Sequence, residues 1–427
     1  MSNYKINTKC ILSGYSPKNG EPRQVPISQS TTFKYDSSVE MGKLFDLEAS
    51  GYFYTRLANP TNDAVAAKIA DLEGGVGAML TSSGQAASFY SIFNIAGAGD
   101  HVVSASTIYG GTFNLFNVTM RKLGIDFTFV SPQASEEEIC AAIQPNTKAI
   151  FAESLSNPAL EVLDFEKFAN AAHSNGIPLI IDNTFPTPVN CRPFELGADI
   201  VIHSTTKYMD GHATSVGGVV IDGGKFDWTQ NDKFPGLTTP DDSYHGITYT
   251  ERFGNAAYIT KCMAQLMRDL GSIPSPFNAF LLNLGLETLP LRIERHCSNA
   301  LAVAEFIRDS GCAIEVTYPG MKGSKGYELA QKYMPNGTSG VISFRIKGGR
   351  DAATKFMDSL KIAEIATHVA DARTCCLHPA STTHRQLTAQ ELINCGISDD
   401  LIRLSVGIEH VDDIIADVKQ ALEASQK

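Results

Sequence analysis

The sequence predicts an α/β protein: a mostly parallel sheet in a large domain, followed by a smaller C-terminal α+β domain. Three observations predict it. The chain has 427 residues, more than one hydrophobic core sustains, because single cores stop growing near ~250–300 residues. From about residue 60, short apolar runs alternate with helical patterns, which is how βαβ units read in a sequence. After about residue 270 that alternation gives way to one long helical stretch and then to scattered strands. The expected division is 1–60 as an N-terminal arm, 61–270 as the large domain and 271–427 as the C-terminal domain.

The arm comes first. Pro17, Pro22 and Pro26, with Gly14 and Gly20, break any local periodicity and point to an extended segment lying on another domain or subunit. Residues 62–72 read as a helix. Buried strands follow at 77–81, 101–105, 125–130, 148–153, 178–182, 198–203 and 218–221, each a short apolar run. Helical patterns separate them at 84–95, 111–123, 136–143 and 164–174. Residues 225–255 break the pattern with a turn-rich loop, FPGLTTPDDSYHG over 234–246, and long loops are often functional. A helical stretch then runs over 276–310. Strands are expected at 314–318, 341–346 and 402–406, and a closing helix at 410–424.

Composition removes several classes of function. Hydrophobic residues are 43% and charged residues 19% of the chain, and the formal net charge is −11. That is an ordinary globular balance, and its sign argues against nucleic acid or an anionic membrane as the main partner. No apolar run approaches the ~20 residues that span a bilayer. Residues 1–15 are polar and lack the charged-then-apolar order of a signal peptide. The nine cysteines (Cys10, Cys140, Cys191, Cys262, Cys297, Cys312, Cys375, Cys376 and Cys395) are scattered and form no CxxC. Free thiols in a reducing cytoplasm fit this better than disulfides or a metal site. The adjacent Cys375 and Cys376 read as small buried hydrophobes rather than a redox pair.

In parallel sheets ligands bind beyond the carboxyl ends of the strands, so those ends carry the functional reading. Strand 178–182 ends in Asp182. Strand 198–203 runs into Ser204, Thr205, Thr206 and Lys207. Singly, Asp182 reads as a turn cap and Lys207 as a surface lysine. Together they match a pyridoxal phosphate enzyme, which needs a lysine for a Schiff base and an acid to keep the pyridine nitrogen protonated. Ser204 and Thr206 offer hydroxyls for the phosphate. Ser83, Gly84 and Gln85 follow a strand and open a helix, where backbone N–H groups and the helix dipole suit a dianion; alone, this is equally an ordinary helix cap. Tyr109 follows another strand, placed either to stack on a flat ring or simply to be half-buried.

The stretch DIVIHSTTKYMDGH over 199–212 closely resembles the lysine-bearing motif of the Cys/Met-metabolism pyridoxal-phosphate enzymes. The resemblance extends, in order, over 54–61, 82–87, 109–112, 153–158, 182–184 and 403–409, most of the chain. It implies a fold-type I pyridoxal-phosphate transferase. By position, Lys207 would hold the cofactor and shuttle protons, Asp182 would pair with the pyridinium nitrogen, and Tyr109 would stack on the ring. Ser83, Gly84, Gln85, Ser204 and Thr206 would surround the phosphate, and Asn157 would lie near the ring hydroxyl. Tyr54 and Arg56 would reach the site from a neighbouring subunit, Tyr54 also meeting substrate, in a homotetramer built from two dimers. Arg403 would grip the substrate α-carboxylate as a bidentate fork, a task for arginine rather than lysine.

Within the family, two features resemble the long sulfhydrylase branch. Gly110 and Gly111 follow Tyr109, where methionine γ-lyases carry cysteine at the position of Gly111, and the 234–246 segment is missing from shorter lyases and synthases. The implied reaction is O-acetyl-L-homoserine plus sulfide giving L-homocysteine plus acetate. The alternatives are methionine γ-lyase, cystathionine-type elimination or replacement, and a cofactor-binding regulatory protein. One departure from the family is His368, where a small or amide residue is usual; it contacts substrate or packs at a strand end. Ala213, where serine or glycine is common, is a minor change.

Overall fold

A computed structural model describes residues 4–382, 385 and 397–427; Cys395 lies outside the described residues. Seven strands form the large sheet: β1 Gly77–Thr81, β2 His101–Ala105, β3 Asp126–Val130, β4 Thr147–Glu153, β5 Leu179–Asp182, β6 Ile200–His203 and β7 Gly218–Asp222. Their order across the sheet is β1-β7-β6-β5-β4-β2-β3. The inner pairs β2·β3, β2·β4, β4·β5 and β5·β6 are parallel, and β7 runs antiparallel to β6 and β1. The apolar runs read as strands because helices cover the sheet on its faces: every residue of β2, β6 and β7 is buried.

The reversal at β7 has a local cause. The chain leaves β6 at His203 and re-enters the sheet at Gly218 on the same edge, so β7 can only run back. In that register His203 faces Val219 and Gly218 faces Thr81. The turn after β6 therefore sits beside the turn after β1, which brings Ser204 against Gly84.

The arm departs from the expectation. It contains two short helices, α1 Ile6–Leu12 and α2 Ser38–Phe45, each only about two turns long and so too short to give a visible period. Helix α3, Pro60–Glu73, is set by local chemistry. The Asn59 side chain accepts from the Thr61 N–H, Pro60 begins the first turn, and Gly74 closes the helix at φ +87°, the ordering expected of caps. Helix α4, Gly84–Phe93, is capped by Ser83, whose side chain accepts from the Ala86 N–H.

Two expected helices are interrupted. The segment expected as a helix over 111–123 is α-helical only at Gly110–Asn114, then becomes a π-helix at Leu115–Thr119 and a 3₁₀ turn at Met120–Leu123. The π turn aims Phe116 into the core, stacked on Phe127 with ring centroids 4.7 Å apart. The stretch expected over 276–310 is two helices, Pro276–Glu287 and Leu289–Asp309, broken at Thr288 where ψ is 3°; Pro290 lacks the N–H that a continuous helix would need. The loop at 225–255 also carries short helical turns, among them Pro235–Thr238 and Tyr249–Phe253. Phe234 is buried against Trp228, ring centroids 5.0 Å apart.

The second sheet has the order β10-β11-β12-β9-β8, from β8 Ala313–Thr317, β9 Val341–Ile346, β10 Glu364–Ile365, β11 Cys375–Leu377 and β12 Leu401–Ser405. The short strands β10 and β11 escaped the sequence reading because two or three residues make no period, and the helices Tyr327–Tyr333 and Gly349–Ser359 escaped it as well. The helix Val411–Ser425 packs on this sheet through Ile414, Val418, Ala421 and Leu422. Among the described residues no helix is long and apolar enough to cross a membrane.

Candidate active site

A cavity of about 210 Å³ opens at the carboxyl ends of the large sheet's strands and is closed from the other side by β12. Ten of the residues singled out in the sequence line it: Ser83, Gly84, Gln85, Tyr109, Asn157, Asp182, Ser204, Thr206, Lys207 and Arg403. Nine of them come from the carboxyl ends of five strands of the large sheet and so converge on one edge, and Arg403 joins them from the middle of β12 in the second sheet.

Lys207 sits on the turn after β6, its N–H donating to the Ser204 carbonyl at 3.2 Å. Burial, helped by the positive charge of Arg403, lowers its amine from 10.5 to about 8. Asp182 ends β5 and accepts from the Thr184 N–H at 3.0 Å and from the Thr184 hydroxyl. Burial pushes its carboxyl up, opposed by Thr184 and by His203. Thr184 Oγ1 also accepts from the Ser204 N–H at 2.9 Å, so one threonine fixes both the acid and the lysine turn.

Gly84 is required by space. A Cβ there would lie 2.6 Å from the Ser204 Cβ and 2.9 Å from its Cα, distances real Cβ atoms do not reach. Gly84→Ala is expected to push the Ser204 turn out of place and weaken cofactor retention about tenfold or more, read by equilibrium dialysis of the loaded protein; a loss of one or two good phosphate hydrogen bonds is worth that much. Unchanged retention would show that the close approach is not needed. Thr206 exchanges hydrogen bonds with Gly217, at 3.1 and 3.0 Å, so its hydroxyl proton is already engaged.

Arg403 is the electrostatic feature that asks for a ligand. It sits in the middle of β12, opposite Leu377 on one side and Ser343 on the other, and is 3% exposed. Its hydrogen bonds among the described residues go to Asn157 Oδ1 at 3.2 Å and to the Thr367 and His368 carbonyls at 3.3 and 3.4 Å. None goes to a carboxylate, its Nε has no partner, and burial lowers its guanidinium. A buried, uncompensated guanidinium is costly unless an anion completes it. An amino-acid carboxylate supplies the anion that Arg403 lacks, and the Lys207 amine, the Asp182 carboxyl and the glycine turn at Gly84 are the groups a pyridoxal phosphate requires, so the residues present fit that cofactor.

Three predicted residues lie elsewhere. Tyr54 and Arg56 do not line this cavity. Tyr54 is 40% exposed, the Arg56 guanidinium stands over its ring at 5.3 Å, and both line a separate groove of about 1050 Å³ with Tyr244, His245 and Arg268. The 234–246 segment thus borders Tyr54 and Arg56 rather than Lys207. His368 stands between two lining residues, Thr367 and Val369; its Nε2 is buried without a partner, and burial together with Lys207 lowers its imidazole. The sequence reading missed Glu153 and Thr184 as lining residues. Glu153 ends β4 as Asp182 ends β5, so the same strand-end rule points to it.

A family model described as Cys/Met metabolism PLP-dependent enzyme matches residues 7–423. Homocysteine synthase of Schizosaccharomyces pombe is 47% identical over 405 residues, 94% of each chain. O-acetyl-L-homoserine sulfhydrylase of Leptospira meyeri is 44% identical over 99% of this chain and 97% of its own. The crystal structure of a candidate O-acetylhomoserine (thiol)-lyase from Campylobacter jejuni, which holds N'-pyridoxyl-lysine-5'-monophosphate, superposes with a TM-score of 0.96 at 37% identity, covering 98% of this chain and all of that one. With the site converging on the lysine, acid and glycine turn that such a cofactor requires, the chain belongs to the Cys/Met-metabolism family of pyridoxal-phosphate-dependent enzymes.

Proposed function

We propose that the protein catalyses γ-replacement on O-acetyl-L-homoserine, with sulfide as nucleophile, to give L-homocysteine and acetate, a step of methionine biosynthesis. The observation that carries the reading is Arg403, buried across the cavity from Lys207 with no carboxylate of the chain to neutralise it. An α-amino acid brings that carboxylate. The names of the relatives support the ester and the sulfur donor. Gly111 supports the same branch: a Cβ there would meet Gln85 Nε2 at 2.5 Å and the Tyr109 ring at 2.6 Å, so a side chain would displace one of them.

When bound, pyridoxal phosphate draws electrons from the substrate's α-carbon, which makes the α-proton and then a β-proton removable. The chain does the rest. Asp182 holds the pyridine nitrogen's proton. Tyr109 would cover the ring, and Asn157 would meet its hydroxyl. The Ser83–Gln85 turn, with Ser204, would take the phosphate, and Thr206, whose hydroxyl is engaged with Gly217, would wall that pocket. Lys207 would anchor the cofactor and, once free, would carry protons on Nζ to and from the α- and β-carbons while the C–O bond to acetate breaks and the C–S bond forms at the γ-carbon. Arg403 fixes the substrate carboxylate. His368 borders the substrate side through its backbone carbonyl, which accepts from Arg403 at 3.4 Å.

The test is product analysis by mass spectrometry of the cofactor-loaded protein with O-acetyl-L-homoserine, with and without sulfide, and separately with L-methionine. Homocysteine and acetate that appear only with sulfide are expected. Predominant 2-oxobutyrate and ammonia, above all from methionine, would overturn the reading in favour of a γ-lyase.

The assembly we propose is a homotetramer of two dimers, in which Tyr54 and Arg56 complete a neighbour's site; their exposed position, away from their own Lys207, supports it. Arg56→Ala is expected to weaken cofactor retention about tenfold by loss of a charged phosphate contact. Equal retention by wild type and variant would count against shared sites. Residues 61–270 would be the cofactor domain and 271–427 the domain that brings Arg403. A cytoplasmic location is supported by the eight free cysteines among the described residues.

A further inference from the structure

We infer that Glu153 is a positioning residue for the cofactor ring: its one carboxyl ties the turn that carries Tyr109 to the turn that carries Asn157. The Tyr109 backbone N–H donates to Glu153 Oε1 at 2.7 Å. The turn that carries Asn157 follows Glu153 directly in the chain, and the Asn157 backbone N–H favours the carboxyl's anion. Those two turns bring the residues that would lie over the ring and beside its hydroxyl, and no other side chain among the described residues joins them. Glu153 is 8% exposed and lines the cavity, so it is a cavity wall rather than a remote prop.

Its charge state follows from its neighbours. Glu153 and Asp182 are register partners on adjacent parallel strands, and neighbouring strands stand about 4.8 Å apart. Two carboxyls side by side and out of water cannot both ionise cheaply, so one keeps its proton. Asp182 has the better claim to the charge. It accepts two bonds from Thr184 and His203 favours its anion. The other titratable groups on the cavity are Lys207, Tyr109 and Arg403, brought by the turn after β6, the turn after β2 and strand β12. Glu153 gains only backbone donors, and burial and Asp182 raise its carboxyl well above the ordinary range. A neutral Glu153 therefore leaves Asp182 as the single anion facing the pyridine nitrogen. This rests on the cofactor reading given above.

The experiment compares wild type, Glu153→Gln and Glu153→Ala, each loaded with pyridoxal phosphate. The readouts are the cofactor dissociation constant and the pH titration of the bound cofactor's absorbance. Glu153→Ala removes the bond to the Tyr109 turn and is expected to weaken cofactor binding about tenfold. Glu153→Gln keeps an acceptor and is already neutral, so it should restore affinity to within about twofold and move the spectral midpoint by less than about half a pH unit. Wild-type affinity in Glu153→Ala would overturn the positioning role. A midpoint shift of about one unit or more in Glu153→Gln would overturn the neutral state, and this arm decides even where the alanine variant does not fold. A wild-type protein that failed to bind pyridoxal phosphate at all would sink the functional reading instead.

Discussion

Lys207→Ala is expected to abolish turnover, by about 10³-fold or more, while the protein stays folded. Positioned proton transfer alone contributes roughly 10²–10⁴, and the variant also loses the covalent hold on the cofactor. Alanine leaves a void facing the cavity rather than the core, so little stability is lost. Borohydride reduction followed by peptide mass spectrometry should find the pyridoxyl group on Lys207 in the wild type and on no residue in the variant. The wild type adds a test of pH. A cationic amine cannot attack an aldehyde, so cofactor reloading should be slow below the amine's pKa and level off above it. With that value lowered to about 8, about a quarter of the amine is neutral at pH 7.5, against about one part in a thousand for an ordinary lysine. Reloading should therefore be half-maximal near pH 8 and reach its plateau by about pH 9. A rate still climbing at pH 10 would show that burial does not tune the amine, and turnover preserved in Lys207→Ala would remove the lysine from the chemistry.

Much of the fold and site is legible in the sequence because the cues are local. Most strands of the large sheet are short apolar runs between turn residues, and burial on both faces makes those runs continuous, the edge strand β3 being the exception. Once strand ends are located, the rule that ligands bind beyond them selects Asp182 and Lys207, and the cavity brings both together. Arg403 is a different case. It sits in the middle of a buried strand of the second sheet, where composition alone gives no reason to expect a functional charge; the family resemblance pointed to it, and its lack of a carboxylate partner is visible only in three dimensions.

What escaped was non-local. The two-residue β10 and three-residue β11 exist because β12 and its neighbours supply their hydrogen bonds, and no periodicity survives at that length. The π turn at Leu115–Thr119 is imposed by the Phe116 pocket between Phe127 and Phe151, which are 11 and 35 residues away. Thr184 reads as an unremarkable hydroxyl beside Asp182, and its joint grip on Asp182 and Ser204 depends on two strands lying side by side. Glu153 could have been found by the strand-end rule, but a glutamate beside an aspartate reads as repulsive until one asks which of the two keeps its proton.

Arg403→Lys and Arg403→Ala separate the fork from the charge. Arginine can offer two parallel N–H donors to a carboxylate, and lysine offers a point charge on a shorter reach. Register holds Arg403 between Leu377 and Ser343, so a shorter side chain cannot be rescued by the strand sliding. Losing bidentate recognition costs about 2–3 kcal/mol, so Arg403→Lys should lower kcat/KM for O-acetyl-L-homoserine about 30- to 150-fold, and Arg403→Ala should lower it further, by about 10³. Cofactor affinity should change little in either, because the residue faces the substrate carboxylate rather than the phosphate. The two variants should also differ in the Lys207 amine. The positive charge of Arg403 helps to hold that amine down; alanine removes this and should move the reloading plateau to higher pH, whereas lysine keeps it. A kcat/KM within about twofold of wild type in Arg403→Ala would mean that the substrate carboxylate is held elsewhere, and an unmoved reloading profile would mean that burial alone sets the state of Lys207.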